Sequence, residues 1–180
     1  MQHTNEFEFI ASEWLNTAEP LTLSSLRGKV VVVHAFQMLC PGCVTHGIPQ
    51  AGVINDIFPR DKVQVIGMHS VFEHHDVMTV KALKVFLSEY RVNFPVVVDK
   101  PSPKKPVPQT MLAWQLQGTP SLIIFDQGGK LRLKHFGRLG DMQVGASIAG
   151  LVNEASQILA DSPGATNLSI GGCTDLGCVI

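Results

Sequence analysis

The chain has 180 residues, a formal net charge of −1 and a 45% share of hydrophobic residues. This length and composition are typical of one globular domain and exclude a disordered or fibrous chain. The nearly balanced charge argues against a nucleic-acid or membrane partner. The first 14 residues contain no Lys or Arg and lack the apolar core of a signal peptide. We therefore expect a cytoplasmic protein, or a periplasmic one if a leader has been removed.

The first half of the chain predicts alternating strands and helices. Val30 to Phe36 is apolar and mostly β-branched, which is typical of a central strand buried on both faces. Pro41 suits the start of a helix that runs to about residue 58, and Pro49 is expected to kink it. Further along, the patterns predict a strand over 62–69, a helix over 77–90 and a strand over 94–99.

The second half begins with a surface loop, 100–108, which holds four prolines and three lysines. A brief helix over 109–116 and a β-hairpin turning at 127–129 follow. Asp141 is expected to cap a last helix that ends near residue 159. The order β-α-β-α-β-(α)-β-β-α predicts one α/β domain over residues 1–160, and the Gly-rich residues 161–180 predict a flexible C-terminal tail.

Two cysteines open the first predicted helix, directly after the buried strand. Cys40 and Cys43 are three residues apart, so both lie on the same side of its first turn. Unpaired backbone N–H groups at a helix start favour the thiolate of Cys40, which is the form that attacks disulfides. Cys43 is then close enough to resolve a mixed disulfide.

Two other interpretations of the pair remain open. It is half of a zinc site if Cys173 and Cys178 fold back to supply the other ligands. Alternatively, both thiols are inert and buried, although a helix start is a poor place to bury them. A C-x-x-C motif near a βαβ pattern favours a redox function.

Several further segments accompany the C-P-G-C motif in a familiar order. They are "PLTLSSLRGKVVVVHAF" before it, Pro49 after it, "VQVIGMHS", "FPVVVD" and "GTPSLIIFDQGGKLRLKHFG". In these segments the sequence resembles the thioredoxin superfamily, specifically the TlpA/ResA-like thiol–disulfide oxidoreductases of the redoxin type. The resemblance implies a thioredoxin fold, in which helices flank a central mixed β-sheet, with an N-terminal extension.

The resemblance also implies roles for individual residues. Cys40 would be the attacking thiol and Cys43 the resolving one. Pro120 would be a cis-proline beside them, and the backbone of Thr119 would pair with an extended substrate segment. A proline at this strand entrance is otherwise an edge residue.

Three departures from the family pattern bear on the site. Leu39 stands where the family usually has Trp, so an aromatic lip is missing. His34 occupies the strand position at which thioredoxins bury an acid, and an imidazole there is either a structural core residue or a proton shuttle. The order Pro-Gly, in place of Gly-Pro, bears on the reduction potential.

Other polar residues have both a functional and a plain interpretation. Glu73 is either near the dithiol or a solvated loop carboxylate. The histidines His69, His74 and His75 are either surface residues or metal ligands beside the cysteines. Cys173 and Cys178 are either exposed thiols or a second dithiol that relays electrons to the first.

The sequence therefore predicts a thiol–disulfide oxidoreductase that reduces disulfides in proteins or small molecules. It needs an upstream reductant, and we expect no cofactor and no resident metal. A peroxiredoxin-like peroxidase is a second hypothesis, although neither cysteine has the Thr three residues earlier that peroxiredoxins carry. A third hypothesis is a non-enzymatic metal carrier or adaptor with this fold.

Overall fold

A computed structural model describes residues 7–160, with side chains to residue 154, and the backbone of residues 173–174 and 177–178. Its central sheet has six strands in the order β1-β4-β3-β2-β5-β6. The strands are β1 (Ala11–Leu15), β2 (Val30–Phe36), β3 (Val63–His69), β4 (Val96–Asp99), β5 (Ser121–Phe125) and β6 (Leu131–Phe136). Strands β2, β3 and β4 are parallel, and β1, β5 and β6 run antiparallel to their neighbours. The predicted mixed sheet is confirmed.

Strand β2 lies in the middle of the sheet, and all seven of its residues are buried. Its side chains alternate between two apolar clusters, one on each face. Val30, Val32 and Phe36 pack with the helices α1 (Ile48–Ile57), α2 (Val80–Glu89) and α4 (Asp141–Ala160). The opposite face packs against Trp114, which follows the short helix α3 (Gln109–Ala113). Burial on both faces explains why this strand reads as a continuous apolar run.

Strand β1 was missed by the sequence analysis. It pairs with β4 at one edge of the sheet, and its register is interrupted between Ala11 and Glu13. Most of its residues are only partly buried. A short, bulged edge strand carries neither a long apolar run nor a clean alternation, so its pattern is weak.

The helix after β2 has an irregular start. Its segment Cys43–Gly47 is π-helical, and the N–H of Ile48 donates to the carbonyl of Cys43, five residues earlier. Pro49 follows in the first turn of α1 and has no N–H to donate to the preceding turn. The sequence predicts a kink at Pro49. At this point the structure changes from a π-helical to an α-helical segment.

Asp141 does not cap α4, contrary to the prediction. The N–H of Val144 donates to the carbonyl of Gly140, which puts Gly140 before the helix and Asp141 in its first turn. The Asp141 carboxylate accepts instead from the side chain of Gln50 at 2.6 Å. This bond ties the beginning of α4 to α1.

The remaining predicted boundaries agree to within a few residues. Thr79 caps the start of α2, since its hydroxyl accepts from the N–H of Ala82 at 3.2 Å. Helix α3 ends early, and Gln115 beyond it has a φ of 53°. The predicted hairpin is present as β5 and β6. No described helix has the length and apolar character needed to cross a bilayer.

The predicted boundary between a domain and a tail at residue 160 stays a prediction, because most of 161–180 lies outside the described residues. Two short strands, β7 (Cys173–Thr174) and β8 (Gly177–Cys178), pair antiparallel there. The side chains of Cys173 and Cys178 are not described, so the predicted relay is not tested.

Candidate active site

Cys40 lies immediately before the first turn of the helix, at the carboxyl end of the buried strand β2. Its sulfur accepts the backbone N–H of Cys43 at 3.2 Å. Its carbonyl accepts from the N–H groups of Cys43 and Val44 at 3.0 and 3.1 Å. The sulfur thus takes the position of an N-cap side chain, where a partly negative atom satisfies a free helix donor. The helix-start placement expected from the sequence is confirmed.

Cys43 differs sharply from Cys40 in its surroundings. Both cysteines are free thiols, but Cys43 is fully buried whereas Cys40 is half-buried. Burial raises the pKa of the Cys43 thiol to about 12, and the adjacent Cys40 side chain acts in the same direction. Cys43 is therefore protonated at neutral pH, and of the two cysteines only Cys40 is partly exposed.

The peptide bond between Thr119 and Pro120 is cis, as the resemblance implies. The Cys40 thiol donates to the carbonyl of Thr119 at 3.5 Å. The Pro120 ring lies against two glycines of the dithiol helix: a Cβ on Gly42 would be 3.3 Å from Pro120 Cδ, and a Cβ on Gly47 would be 3.4 Å from Pro120 Cβ. The cis-proline loop and the dithiol are therefore in direct contact.

His34 lies in β2, on the face of the sheet that the dithiol helix covers. It is only 3% exposed, and its Nε2 has no hydrogen-bond partner in the described structure. Its Nδ1 is 3.8 Å from the position of a Cβ on Gly47. Burial lowers the pKa of His34 to about 4, so the imidazole is neutral at pH 7. A neutral imidazole keeps one unprotonated ring nitrogen.

Gln37 is a site residue that the sequence analysis missed. It is 1% exposed, and its backbone carbonyl accepts the N–H of Cys40 at 3.2 Å. Its side chain accepts from the N–H of Phe72 at 3.2 Å and donates to the Glu73 carboxylate at 3.3 Å. Gln37 thus connects the Cys40 turn to the loop that carries Glu73. The sequence feature that could have identified Gln37 is a polar residue directly after a strand that is buried on both faces.

The three other histidines considered from the sequence do not lie in one polar loop. His69 ends β3 and is buried against Phe36, with ring centroids 5.3 Å apart. His74 and His75 are exposed. Within residues 7–154, no three His, Cys, Asp or Glu side chains form a group that could hold a metal ion.

Leu39 is 58% exposed next to Cys40. It is a flexible aliphatic side chain at the position where the family has an aromatic one. The surroundings of Cys40 therefore include an exposed apolar side chain, Leu39, and the Thr119 backbone.

A model of the AhpC/TSA family matches residues 5–134. The chain belongs to this family. Among solved structures, it is similar to a thioredoxin-like superfamily protein, with 53% identity, a TM-score of 0.80 and coverage of 82% of this chain and 96% of that one. It is also similar to a thiol-disulfide isomerase from Corynebacterium glutamicum, with 51% identity, a TM-score of 0.78 and coverage of 81% and 94%.

Among curated proteins, the NHL repeat-containing protein 2 of Homo sapiens is 32% identical over 90 residues. The match covers 48% of this chain but only 12% of that much longer protein. Together, the family, the fold and the close structural relatives make this AhpC/TSA family member a thioredoxin-like enzyme of the thiol–disulfide oxidoreductase class.

Proposed function

We propose that Cys40 is the attacking thiol of this oxidoreductase, that Cys43 resolves the intermediate, and that the pair reduces disulfides in proteins or small molecules. The observation that carries the proposal is the difference between the two sulfurs. Cys40 is partly exposed and its sulfur accepts a helix N–H, whereas Cys43 is buried and its pKa is raised to about 12.

The exchange proceeds in two displacements. The Cys40 thiolate attacks one sulfur of the partner disulfide, a mixed disulfide forms, and the other partner sulfur leaves as a thiolate. Cys43 then loses its proton and attacks Cys40, which breaks the mixed disulfide and releases the second partner sulfur. The partner gains two electrons and two protons, and Cys40 and Cys43 become a disulfide. An upstream dithiol reductant restores the pair.

His34 is proposed as the acceptor of the Cys43 proton in the second displacement. Its support is that the ring is buried beneath the dithiol helix, is neutral at pH 7 and has an Nε2 without a partner within the part of the chain that the structure describes. His69 provides a matched control, because it is equally buried, its pKa is also lowered to about 4 by burial, and its Nε2 also lacks a partner among the described residues. His34→Gln should slow the second displacement and alter its pH profile, whereas His69→Gln should not.

The partner is proposed to bind along the cis-proline loop. The backbone of Thr119 can pair with an extended segment next to the disulfide, and the exposed Leu39, adjacent to Cys40 in the chain, offers an apolar contact. Both contacts are tolerant of sequence, which suits a reductant of several partners.

The deciding experiment compares three variants of the full chain with insulin as substrate. Cys40→Ser should abolish disulfide reduction. Cys43→Ser should accumulate a mixed disulfide that is visible on a non-reducing gel. The double variant Cys173→Ser/Cys178→Ser tests the tail relay: unchanged turnover removes the tail pair from the mechanism. Normal insulin reduction by Cys40→Ser would refute the proposal.

Two measurements separate this function from the alternatives. A peroxidase would consume hydrogen peroxide rapidly, and that activity would disappear in Cys43→Ser but not in Cys40→Ser. A metal carrier would be purified with a stoichiometric copper or zinc ion on Cys40 and Cys43 and would lack reductase activity.

A further inference from the structure

A cavity of about 120 Å³ is lined by Pro120, the residue after Thr119, whose carbonyl accepts from Cys40. It is enclosed by the dithiol helix, by the beginning of β5 and by the loop between β6 and α4. Its lining includes Pro120, Gly47 and Val53. A cavity of this size has room for about four water molecules, or for a polar group of five or six heavy atoms.

The charged side chains in the lining are not paired with one another. Arg138 and His46 are exposed, and neither side chain has a hydrogen-bond or ion-pair partner among the described residues. Asp141 also lines the cavity, and only one of its carboxylate oxygens is engaged, by Gln50 at 2.6 Å. Arg138 and Asp141 therefore both line the cavity, and the guanidinium and one carboxylate oxygen have no partner within residues 7–154.

This pair of charges fits a group that carries both signs. A guanidinium binds a carboxylate in a forked geometry, and a carboxylate binds an ammonium group. An α-amino acid head has a carboxylate and an ammonium on one carbon and fits the available volume. A plain carboxylate would leave the second carboxylate oxygen of Asp141 unpaired, and a plain amine would leave the Arg138 guanidinium unpaired.

The position of the cavity connects this group to the reacting sulfur. Pro120 lines the cavity, packs on Gly42 between the two cysteines, and follows Thr119, whose carbonyl accepts from Cys40. A small disulfide bonded to Cys40 would lie next to this loop, and a subsite in the cavity requires its polar head to reach past Pro120.

We propose that the cavity is a substrate subsite for small disulfides that end in an α-amino acid group, with Arg138 binding the carboxylate and Asp141 the ammonium. This inference rests on the proposed function. Cystine and γ-glutamyl disulfides such as oxidised glutathione share this head. For cystine, Cys40 displaces one cysteine and Cys43 the second, so that two cysteines leave with the two dithiol protons and the protein pair is oxidised.

A single-turnover experiment tests the subsite in the full chain. Reduced protein is mixed with an excess of cystine, of oxidised glutathione or of the neutral bis(2-hydroxyethyl) disulfide, quenched with acid and alkylated. The rate should saturate with the disulfides that carry the head and stay linear with the neutral one. The Arg138→Gln and Asp141→Asn variants should each lower the ratio of the cystine rate to the neutral rate about tenfold or more. Arg60→Gln removes an exposed arginine elsewhere and should leave the ratio unchanged.

A binding measurement separates failure of the subsite from failure of the function. S-methylcysteine carries the head but no disulfide, and NMR titration of the wild-type chain should show saturable shifts at Ser121 and Gly137. Its analogue without the carboxylate, 2-(methylthio)ethylamine, should give none.

Equal rates with all three disulfides and no saturable shift would overturn the subsite and leave the function standing. Binding of S-methylcysteine without exchange of any disulfide would support the subsite and refute the function. Saturation with cystine alone, or with oxidised glutathione alone, would support the subsite and identify which of the two disulfides it accepts.

Discussion

The ring of Pro120 lies against Gly42, one of the two residues between the cysteines, so closely that a Cβ on Gly42 would be 3.3 Å from Pro120 Cδ. Such a contact is tighter than ordinary van der Waals packing, so either the helix start or the cis-proline loop must shift to admit a methyl group. The small residue in the motif therefore keeps Cys40 close to the Thr119 carbonyl.

Gly42→Ala should lower the free energy of unfolding by about 1 kcal/mol and slow disulfide exchange several-fold, because it separates the loop from the dithiol. Gly52→Ala is the matched control in α1, where a Cβ meets nothing within 4 Å. That variant should gain about 0.5 to 1 kcal/mol from helix propensity. Chemical denaturation and insulin reduction measure both effects, and equal losses in the two variants would contradict the contact argument.

The buried imidazoles of His34 and His69 should make the protein sensitive to mild acid. Their pKa values are about 4 in the folded state against 6.5 for an ordinary His. The unfolded chain therefore binds protons first as the pH falls, so stability is present above pH 6.5 and is lost as the pH falls toward 4. Each of the two histidines should lower the free energy of unfolding by about 2 kcal/mol between pH 7 and pH 5.

Denaturation curves of the two variants at both pH values test this expectation. His34→Gln and His69→Gln should each remove part of the difference between pH 7 and pH 5. His75→Gln changes an exposed residue and should keep the full difference. If all three variants kept the full stability difference between pH 7 and pH 5, the acid sensitivity would come from other groups.

Asp99 should stabilise the protein by capping α3 from a distance. Its carboxylate accepts the N–H groups of Thr110 and Met111 at 2.8 and 2.9 Å and the hydroxyl of Ser70 at 3.0 Å. Asp99→Ala leaves these buried donors unpaired, so the free energy of unfolding should fall by about 2 to 4 kcal/mol. The exposed Asp61→Ala is the control and should change it by less than about 0.5 kcal/mol. Thermal and chemical denaturation give the comparison.

Gly118, which precedes the cis-proline loop, should be constrained by Phe136. A Cβ on Gly118 would be 2.8 Å from Phe136 Cε2. Gly118→Ala should therefore cost about 1 to 2 kcal/mol, and adding Phe136→Ala should recover most of that loss. A double-mutant cycle measures the coupling, and strictly additive losses would show that the ring moves aside freely. Gly145→Ala in α4 serves as the control, since its Cβ would be in open space.

The sequence predicted most of the elements around the site because its signals are local. The apolar run of β2, the cysteines at a helix start and Pro120 at a strand entrance each depend on neighbours in the chain. Edge strand β1 was not predicted because its pairing with β4 depends on residues far away in sequence. The π-helical segment was not predicted because the i and i+3 spacing of the cysteines is the same in a regular α-helix.

The chemistry of the site could be predicted only in part for a similar reason. That Cys40 precedes a helix is visible in the sequence, but the burial that raises the pKa of Cys43 comes from packing around it. The cavity beside Pro120 joins His46, Arg138 and Asp141 from two distant parts of the chain. No spacing rule brings such residues together before the fold is known.

The π-helical segment Cys43–Gly47 amounts to one surplus residue within a continuous helix. An ordinary α-helix advances about 100° per residue, so deleting that surplus would rotate the sulfur-bearing end by this angle against the core-facing side of α1. The orientation of the dithiol therefore depends on the number of residues between Cys40 and α1. This stretch contains no loop that could absorb a change in length. When this chain is aligned with a homologue that is one residue shorter here, the gap belongs inside the helix.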